Sequence, residues 1–326
     1  MRTEELRNIA RFAVKKSYRE LLLRSLEENA IIDINTLDEN NTDCRALIIR
    51  RLNTKVGIFS DYIVFLRAIE LAIEQNRIPI IDRLTVHNDF LNTDDRVNTW
   101  ELFFEQPMSL GLDGITHETM QVSAFNCGVG TFPVSLLHCN DPFVITYWRK
   151  IAEKYIRLNK EMQAVADNAY NILLKGLTCL GISVREGYGK LADMKEDVIR
   201  GHPMQADTKE LIDYAERKMI EWNLNDVFFT CQTIETVDLF KQRFGDHAIC
   251  LDRNRPRYAD LLEGENLKRR NFETAICNER DYITEISLLS KCNSLICSHN
   301  SGSDAAFIMS PGYEHVECIE RGIYTI

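Results

Sequence analysis

Gly181-Ile182-Ser183-Val184-Arg185-Glu186-Gly187-Tyr188-Gly189 is the stretch on which the reading of this chain turns. With Leu180 before it, the run to Val184 is apolar, contains β-branched residues, is bounded by glycines and is too short for a helix. It is expected to be a buried parallel strand. The charged pair Arg185-Glu186 and two glycines follow at its carboxyl end. In an open α/β sheet, ligands bind beyond the carboxyl ends of the strands. Arg185 is therefore a candidate anion clamp, because its planar fork can hold a phosphate through two hydrogen bonds. The plainer alternative is a loop arginine in a surface ion pair.

Downstream of this stretch, strand and helix patterns alternate, as in a parallel sheet wrapped by helices. A loop with Gly201-His202-Pro203-Met204-Gln205 leads to a helix over 208–222, then a strand over Asp226–Cys231. Thr233 caps a helix to Phe244, and Ala248–Leu251 is a further strand. A basic, irregular stretch (Arg253, Arg255, Arg257, Lys268, Arg269, Arg270) precedes a helix from about Glu279 to Lys291. The last strand, Ser294–Cys297, runs into Ser298-His299-Asn300-Ser301-Gly302-Ser303, with Asp304 opening a short helix. Small hydroxyl residues and a glycine between a strand end and a helix N-terminus form an anion site by the logic of a phosphate loop. A well-capped helix alone accounts for Ser303 and leaves the rest of the loop unexplained.

Upstream, Leu6, Ile9, Ala10, Ala13, Val14, Ser17 and Leu21 recur at helical spacing beside Arg2, Arg7, Arg11, Lys15, Lys16, Arg19 and Arg24. This amphipathic basic helix either packs on the domain or makes a peripheral contact with an anionic membrane surface. Asp33 to Asp43 is a polar loop, Ala46–Leu52 a strand, and the loop around Gly57 opens a helix that is apolar on nearly every face through Gln75. A strand over Ile78–Asp82 completes the β-loop-α-β unit. Asn98 to Pro107 holds an aromatic cluster with Glu101 and Glu105, which is either a core patch under a long loop or a surface that holds and deprotonates a sugar. One long helical segment spans Pro142 to about Gly176, and a domain boundary is placed here, giving units 1–150 and 151–326.

Length and composition agree with this. The 326 residues suit about two domains, and 45% hydrophobic with 27% charged residues is ordinary for a globular chain. No apolar run reaches the ~20 residues that span a bilayer, and Met1 to Glu28 lacks a signal-peptide core. A cytoplasmic protein is expected. The ten cysteines include no C-x-x-C pair and sit mostly in apolar runs, which points to buried thiols and no metal site. A net charge of -10 argues against a general nucleic-acid binder.

Taken together, the β-Gly-loop-α unit, the Asn98-x-Trp100-Glu101-x-x-Phe104-Glu105-Gln106-Pro107 cluster, the strand ending in Val184-Arg185, the Gly201-His202-Pro203 loop, the strand end Thr230-Cys231-Gln232-Thr233 and the run from Glu285 to Ser303 resemble a known family. The chain is similar to the GDP-fucose-dependent fucosyltransferases: α-1,6-fucosyltransferases, bacterial nodulation fucosyltransferases and protein O-fucosyltransferases. The match is good over 180–310 and patchy before it.

The resemblance implies an α/β fold of the GT-B type, two Rossmann-like domains facing a cleft. The N-terminal unit lies on the acceptor side and the C-terminal unit binds the nucleotide sugar. It implies an inverting, metal-independent transfer of fucose from GDP-fucose to a glycan or polysaccharide hydroxyl, with no cofactor beyond the donor. Arg185 matches the arginine that contacts the donor β-phosphate, with Ser183 where the family usually has histidine. Glu285 matches an aspartate that accepts from guanine, Ser301, Gly302 and Ser303 match the serine-rich diphosphate loop, and His202, Thr230 and Gln232 join the donor contacts. Gln232 stands where the family commonly has aspartate. Asp61, Glu101, Glu105 and Glu186 are candidates for the base that takes the acceptor proton. Asp61 and Glu186 rank first because each lies at a loop expected to face the cleft. Alternatives are another donor, GDP-mannose or a UDP-sugar, and a nucleotide- or glycan-binding protein without catalysis.

Overall fold

Ala46–Arg51 forms strand β1, Ile58–Glu74 helix α1, Ile78–Ile81 strand β2 and Met120–Phe125 strand β3, in a computed structural model. The structure describes residues 46–52, 54, 56–86, 97–114, 120–125, 142–186, 203–262 and 272–322. The expected N-terminal basic helix, the loop to Asp43, His202, the glycines at 187 and 189, and Lys268, Arg269 and Arg270 lie outside the described residues. These three strands make a parallel sheet of order β2-β1-β3, with Ile48 opposite both Ile80 and Val122. The apolar runs Ala46–Ile49 and Ile78–Ile81 are buried throughout, which is why they do not alternate with polar residues. Pro79 is tolerated because β2 is an edge strand. Strand β3, Met120-Gln121-Val122-Ser123-Ala124-Phe125, carries no comparable apolar run but a short apolar–polar alternation, and it is not among the expected strands.

The long helical segment read from the sequence is two helices, α2 over Pro142–Tyr155 and α3 over Lys160–Leu173. Asn159 ends the interruption as an N-cap, its side chain accepting from the Met162 amide at 2.9 Å. Its own amide donates to Phe103 O at 2.9 Å, so the break is held from outside the segment. Positions 150 and 151, on either side of the expected boundary, both fall inside α2.

The second half alternates as expected, except that a short helix, Tyr258–Leu262, falls in the stretch expected to be irregular and a further strand, His315–Cys318, follows the one expected to be last. Cys179–Ser183 is β4, Thr208–Glu221 α4, Asp226–Thr230 β5, Ile234–Phe244 α5 and Ala248–Ile249 β6. Tyr258–Leu262 is α6, Phe272–Leu289 α7, Ser294–Cys297 β7, Ser301–Met309 α8 and His315–Cys318 β8. The five strands are parallel in the order β6-β5-β4-β7-β8, so the stretch read first is the centre of the sheet. Its residues alternate between two cores. Leu180, Ile182, Val227, Phe229 and Ile296 face α4 and α5, where Phe229 stacks on Phe240 at 4.1 Å. Cys179, Phe228, Leu295 and Cys297 join a second core with α7 and α8. Gly181 lets α7 come close to β4, since a Cβ there would lie 2.8 Å from Leu289 Cδ1.

This second core continues into the first half. Helix α8 packs on α1 and α2, and α7 on α3. The Phe59 ring on α1 meets Tyr282 on α7 edge-on at 5.1 Å. Among the described residues no helix is long and apolar enough to cross a membrane.

Candidate functional site

Strands β4, β5 and β6 follow one another toward one edge of the second sheet, and β7 and β8 lie on the other side of β4. The order reverses between β4 and β7, and a crevice at such a switch point is where open α/β sheets bind ligands. Ser183 is level with Cys297, so the segment with Arg185 and the loop from Ser298 to Ser303 leave the sheet side by side. Asn300 Nδ2 reaches Ser183 Oγ at 3.5 Å across that gap. Arg185 is half-buried.

Asn300 caps α8. Its Oδ1 accepts from the Ser303 amide at 2.9 Å, while its own amide donates to Ser303 Oγ at 3.2 Å, a reciprocal capping box. Ser303 Oγ also donates to Ser298 O at 2.8 Å and is buried, so its hydroxyl holds the loop together. The amides of Ser301 and Gly302 are the first two of α8, and such groups have no partner within their own helix. Gly302 is required here: a Cβ would lie 2.3 Å from the Tyr282 hydroxyl oxygen. The loop therefore presents helix-terminal amides next to the strand end that leads to Arg185, an arrangement that attracts an anion.

On the β5 side, Thr230 is buried at the strand end and its carbonyl accepts from the Val184 amide at 3.0 Å. Glu186 is also buried, and its carboxylate accepts from the Gln232 amide, from the Thr233 amide at 3.1 Å, and from the hydroxyls of Thr233 and Thr236. Thr233 is at the N-cap position of α5, as the sequence indicates, yet its side chain does not cap the helix. The carboxylate of Glu186 does so instead, a favourable place for negative charge. With both oxygens occupied, Glu186 is poorly placed to accept a proton from an acceptor sugar.

Glu285 lies in the middle of α7, almost completely buried. Its Oε1 accepts from Arg253 Nε at 2.9 Å and from Arg255 Nη2 at 2.7 Å. Arg253 also donates to the carbonyl of Cys231, just past the end of β5, at 2.8 Å. Burial pushes the Glu285 carboxyl upward and the two guanidinium groups oppose it. Glu285 is thus the centre of an ion-pair cluster under the Cys231-Gln232 corner. Sequence reading placed Arg253 and Arg255 only in a basic stretch. Their two-residue spacing beyond a strand, together with an acid set in the apolar run from Ile283 to Leu289 of α7, is the signal the sequence offers.

The carboxyl end of the first sheet is closed by a similar cluster. Asp61, in the first turn of α1, is 1% exposed and receives Arg83 Nε at 2.9 Å and Arg51 Nη1 at 3.2 Å. Arg83 also donates to Arg51 O at 3.0 Å, tying the ends of β1 and β2 together. A carboxylate held by two buried guanidinium groups is a structural anchor and a poor proton acceptor, which corrects the expectation that it faces a cleft as a base. Glu101 accepts from Asn98 Nδ2 at 3.1 Å and Gln106 Nε2 at 2.6 Å, and Glu105 pairs with Arg157 at 2.9 Å. Asn98 and Gln106 both donate to Ile81 O, at 2.8 and 2.9 Å, and Trp100 stacks on Phe104 at 4.2 Å. The aromatic stretch is a clasp on the end of β2.

The fold as a whole has known counterparts. The structure is similar to that of a NodZ alpha-1,6-fucosyltransferase soaked with GDP-fucose, with a TM-score of 0.51 and 15% identity over 82% of this chain and 93% of that one. The chain has the fold of a fucosyltransferase. The fucosyltransferase NodZ from Bradyrhizobium superposes with a TM-score of 0.52 at 15% identity, covering 82% of this chain and 94% of that chain. POFUT1 in complex with GDP gives a TM-score of 0.51 at 9% identity over 85% of this chain and 99% of that one. No protein-family model matches the sequence, and no curated protein matches it. The mixed α/β architecture with a five-stranded parallel sheet is the part of the expected fold that these structures share.

Proposed function

We propose that this chain is an inverting, metal-independent glycosyltransferase that moves fucose from GDP-fucose onto a hydroxyl of a glycan or polysaccharide. The observation that carries the reading is that, at the switch point of the second sheet, the strand end bearing half-buried Arg185 and the loop that opens α8 at Ser301 and Gly302 leave the sheet side by side. The likeness to fucosyltransferases holding GDP or GDP-fucose supports this assignment of the anion.

Breaking the sugar-phosphate bond builds negative charge on the departing diphosphate. In this reading Arg185 and the two amides stabilise that charge as it develops. Glu186 positions this machinery, fixing the residue next to Arg185 to the start of α5. The Glu285 cluster shapes the Cys231-Gln232 corner on which the nucleotide base rests, so Glu285 acts through Arg253 and Arg255. In this reading the first sheet belongs to the acceptor side, across a cleft from the donor side, and Asp61 keeps its strand ends rigid.

Binding to the native state alone raises its stability. GDP or GDP-fucose is expected to raise the melting temperature in EDTA, with UDP giving no comparable shift. A shift seen only with UDP, or abolished by EDTA, would remove the proposal.

A further inference from the structure

Strand β8 brings a second chemical constellation to the same edge of the sheet. Cys297 at the end of β7 and Cys318 at the end of β8 are direct register partners. Neighbouring strands are about 4.8 Å apart, within the Cα separation that a disulfide spans. Both cysteines are free thiols, Cys297 fully buried and Cys318 half-buried. The Cys318 thiol lies close enough to the side chains of Cys297 and His299 to feel both. His299 in turn stands 3.6 Å from a carboxylate oxygen of Glu320 and near Asp304.

We propose that Cys318 is a reactive thiol, a site of oxidation by hydrogen peroxide, and that Cys297 is the thiol that resolves the product as a disulfide. The hydrogen bond from Cys297 and then the hydrogen bond and charge of His299 hold the Cys318 thiol down at about 6, against burial. Burial works against the His299 cation, but Cys318 first and then Glu320 outweigh it, so the imidazole favours its charged form beside the thiolate, while burial pushes the Asp304 carboxyl up to about 8 and leaves it largely neutral there. The thiolate, not the thiol, is the nucleophile. Its sulfur attacks one peroxide oxygen, the O–O bond breaks, and hydroxide leaves and takes up a proton to become water, leaving a sulfenic acid. The Cys297 sulfur then attacks the Cys318 sulfur, the S–O bond breaks, and the Cys297 proton leaves with the hydroxyl as a second water. Two thiols and one peroxide thus become one disulfide and two waters. The inference concerns β7, β8 and His299 and holds whatever the chain transfers.

Two measurements on the full chain test it. Native alkylation by iodoacetamide, followed at the peptide carrying Cys318, is expected to titrate with a midpoint near 6, where an ordinary thiol titrates at about 8.5. His299→Gln should move that midpoint upward by at least about one unit and slow alkylation at pH 6 by about two- to fivefold, with the rate at exposed Cys277 unchanged as a check on folding. Peroxide followed by peptide mapping without reductant should yield a Cys297–Cys318 disulfide. Cys297→Ala should instead leave a sulfenic acid at Cys318 that dimedone traps. A Cys318 midpoint at 8 or above, or peroxide oxidising Cys277 while Cys318 stays reduced, would overturn the proposal.

Discussion

Arg185→Lys separates charge from shape. Lysine retains one positive charge but loses the planar fork that grips two phosphate oxygens. Single-turnover transfer at saturating GDP-fucose should fall by about a hundredfold or more, the scale of losing one oxyanion donor, while donor affinity falls less. Turnover at the parent rate in a folded variant would end the mechanism. Glu285 gives a second residue-scale test. By the resemblance it is a contact to guanine. In the structure its removal leaves Arg253 and Arg255 buried without their counter-ion. Glu285→Ala should therefore destabilise the protein by about 3–5 kcal/mol. Urea denaturation measures this, and an unchanged midpoint would contradict the cluster's structural role.

At the scale of elements, α8 is held at its start by two independent fits. One is the capping box of Asn300 and Ser303; the other is the absence of a side chain at Gly302. A methyl at 302 would press on the Tyr282 hydroxyl at 2.3 Å and approach Asn300 Oδ1 and Ile286 Cδ1 at 3.2 Å. Gly302→Ala should cost about 1–3 kcal/mol of stability, the usual scale of overpacking. Combining it with Tyr282→Phe, which removes the nearest atom, should recover part of that loss in thermal melts. A double variant no more stable than Gly302→Ala would show that the hydroxyl is not the obstacle.

At the scale of the molecule, helices from both halves share one core, with Phe59 of α1 set against Tyr282 of α7. Phe59→Ala is expected to cost about 3–5 kcal/mol and to lower both halves together. Far-UV circular dichroism and tryptophan fluorescence, the latter reporting Trp100 and Trp148 in the first half and Trp222 in the second, should give coincident transitions. Separate transitions would mean that the halves fold independently. The sequence alone determined the alternation of elements from β4 to α8, short α6 apart, and the position of Arg185 at the end of a buried strand. Those follow from local periodicity, glycine punctuation and β-branched runs, all of which act over a few residues. It also carried the order of motifs that resembles the fucosyltransferases. Strand β3 escaped it because its apolar–polar alternation, Met120 to Ala124, is only five residues long, and the division of α2 from α3 escaped it because Phe103, 56 residues away, holds Asn159. The strand order and the partners of Asp61, Glu186 and Glu285 were decided only by the tertiary structure. A carboxylate reads the same in sequence whether it faces a substrate or a buried arginine, and only the packing of distant segments determines which charge lies beside it.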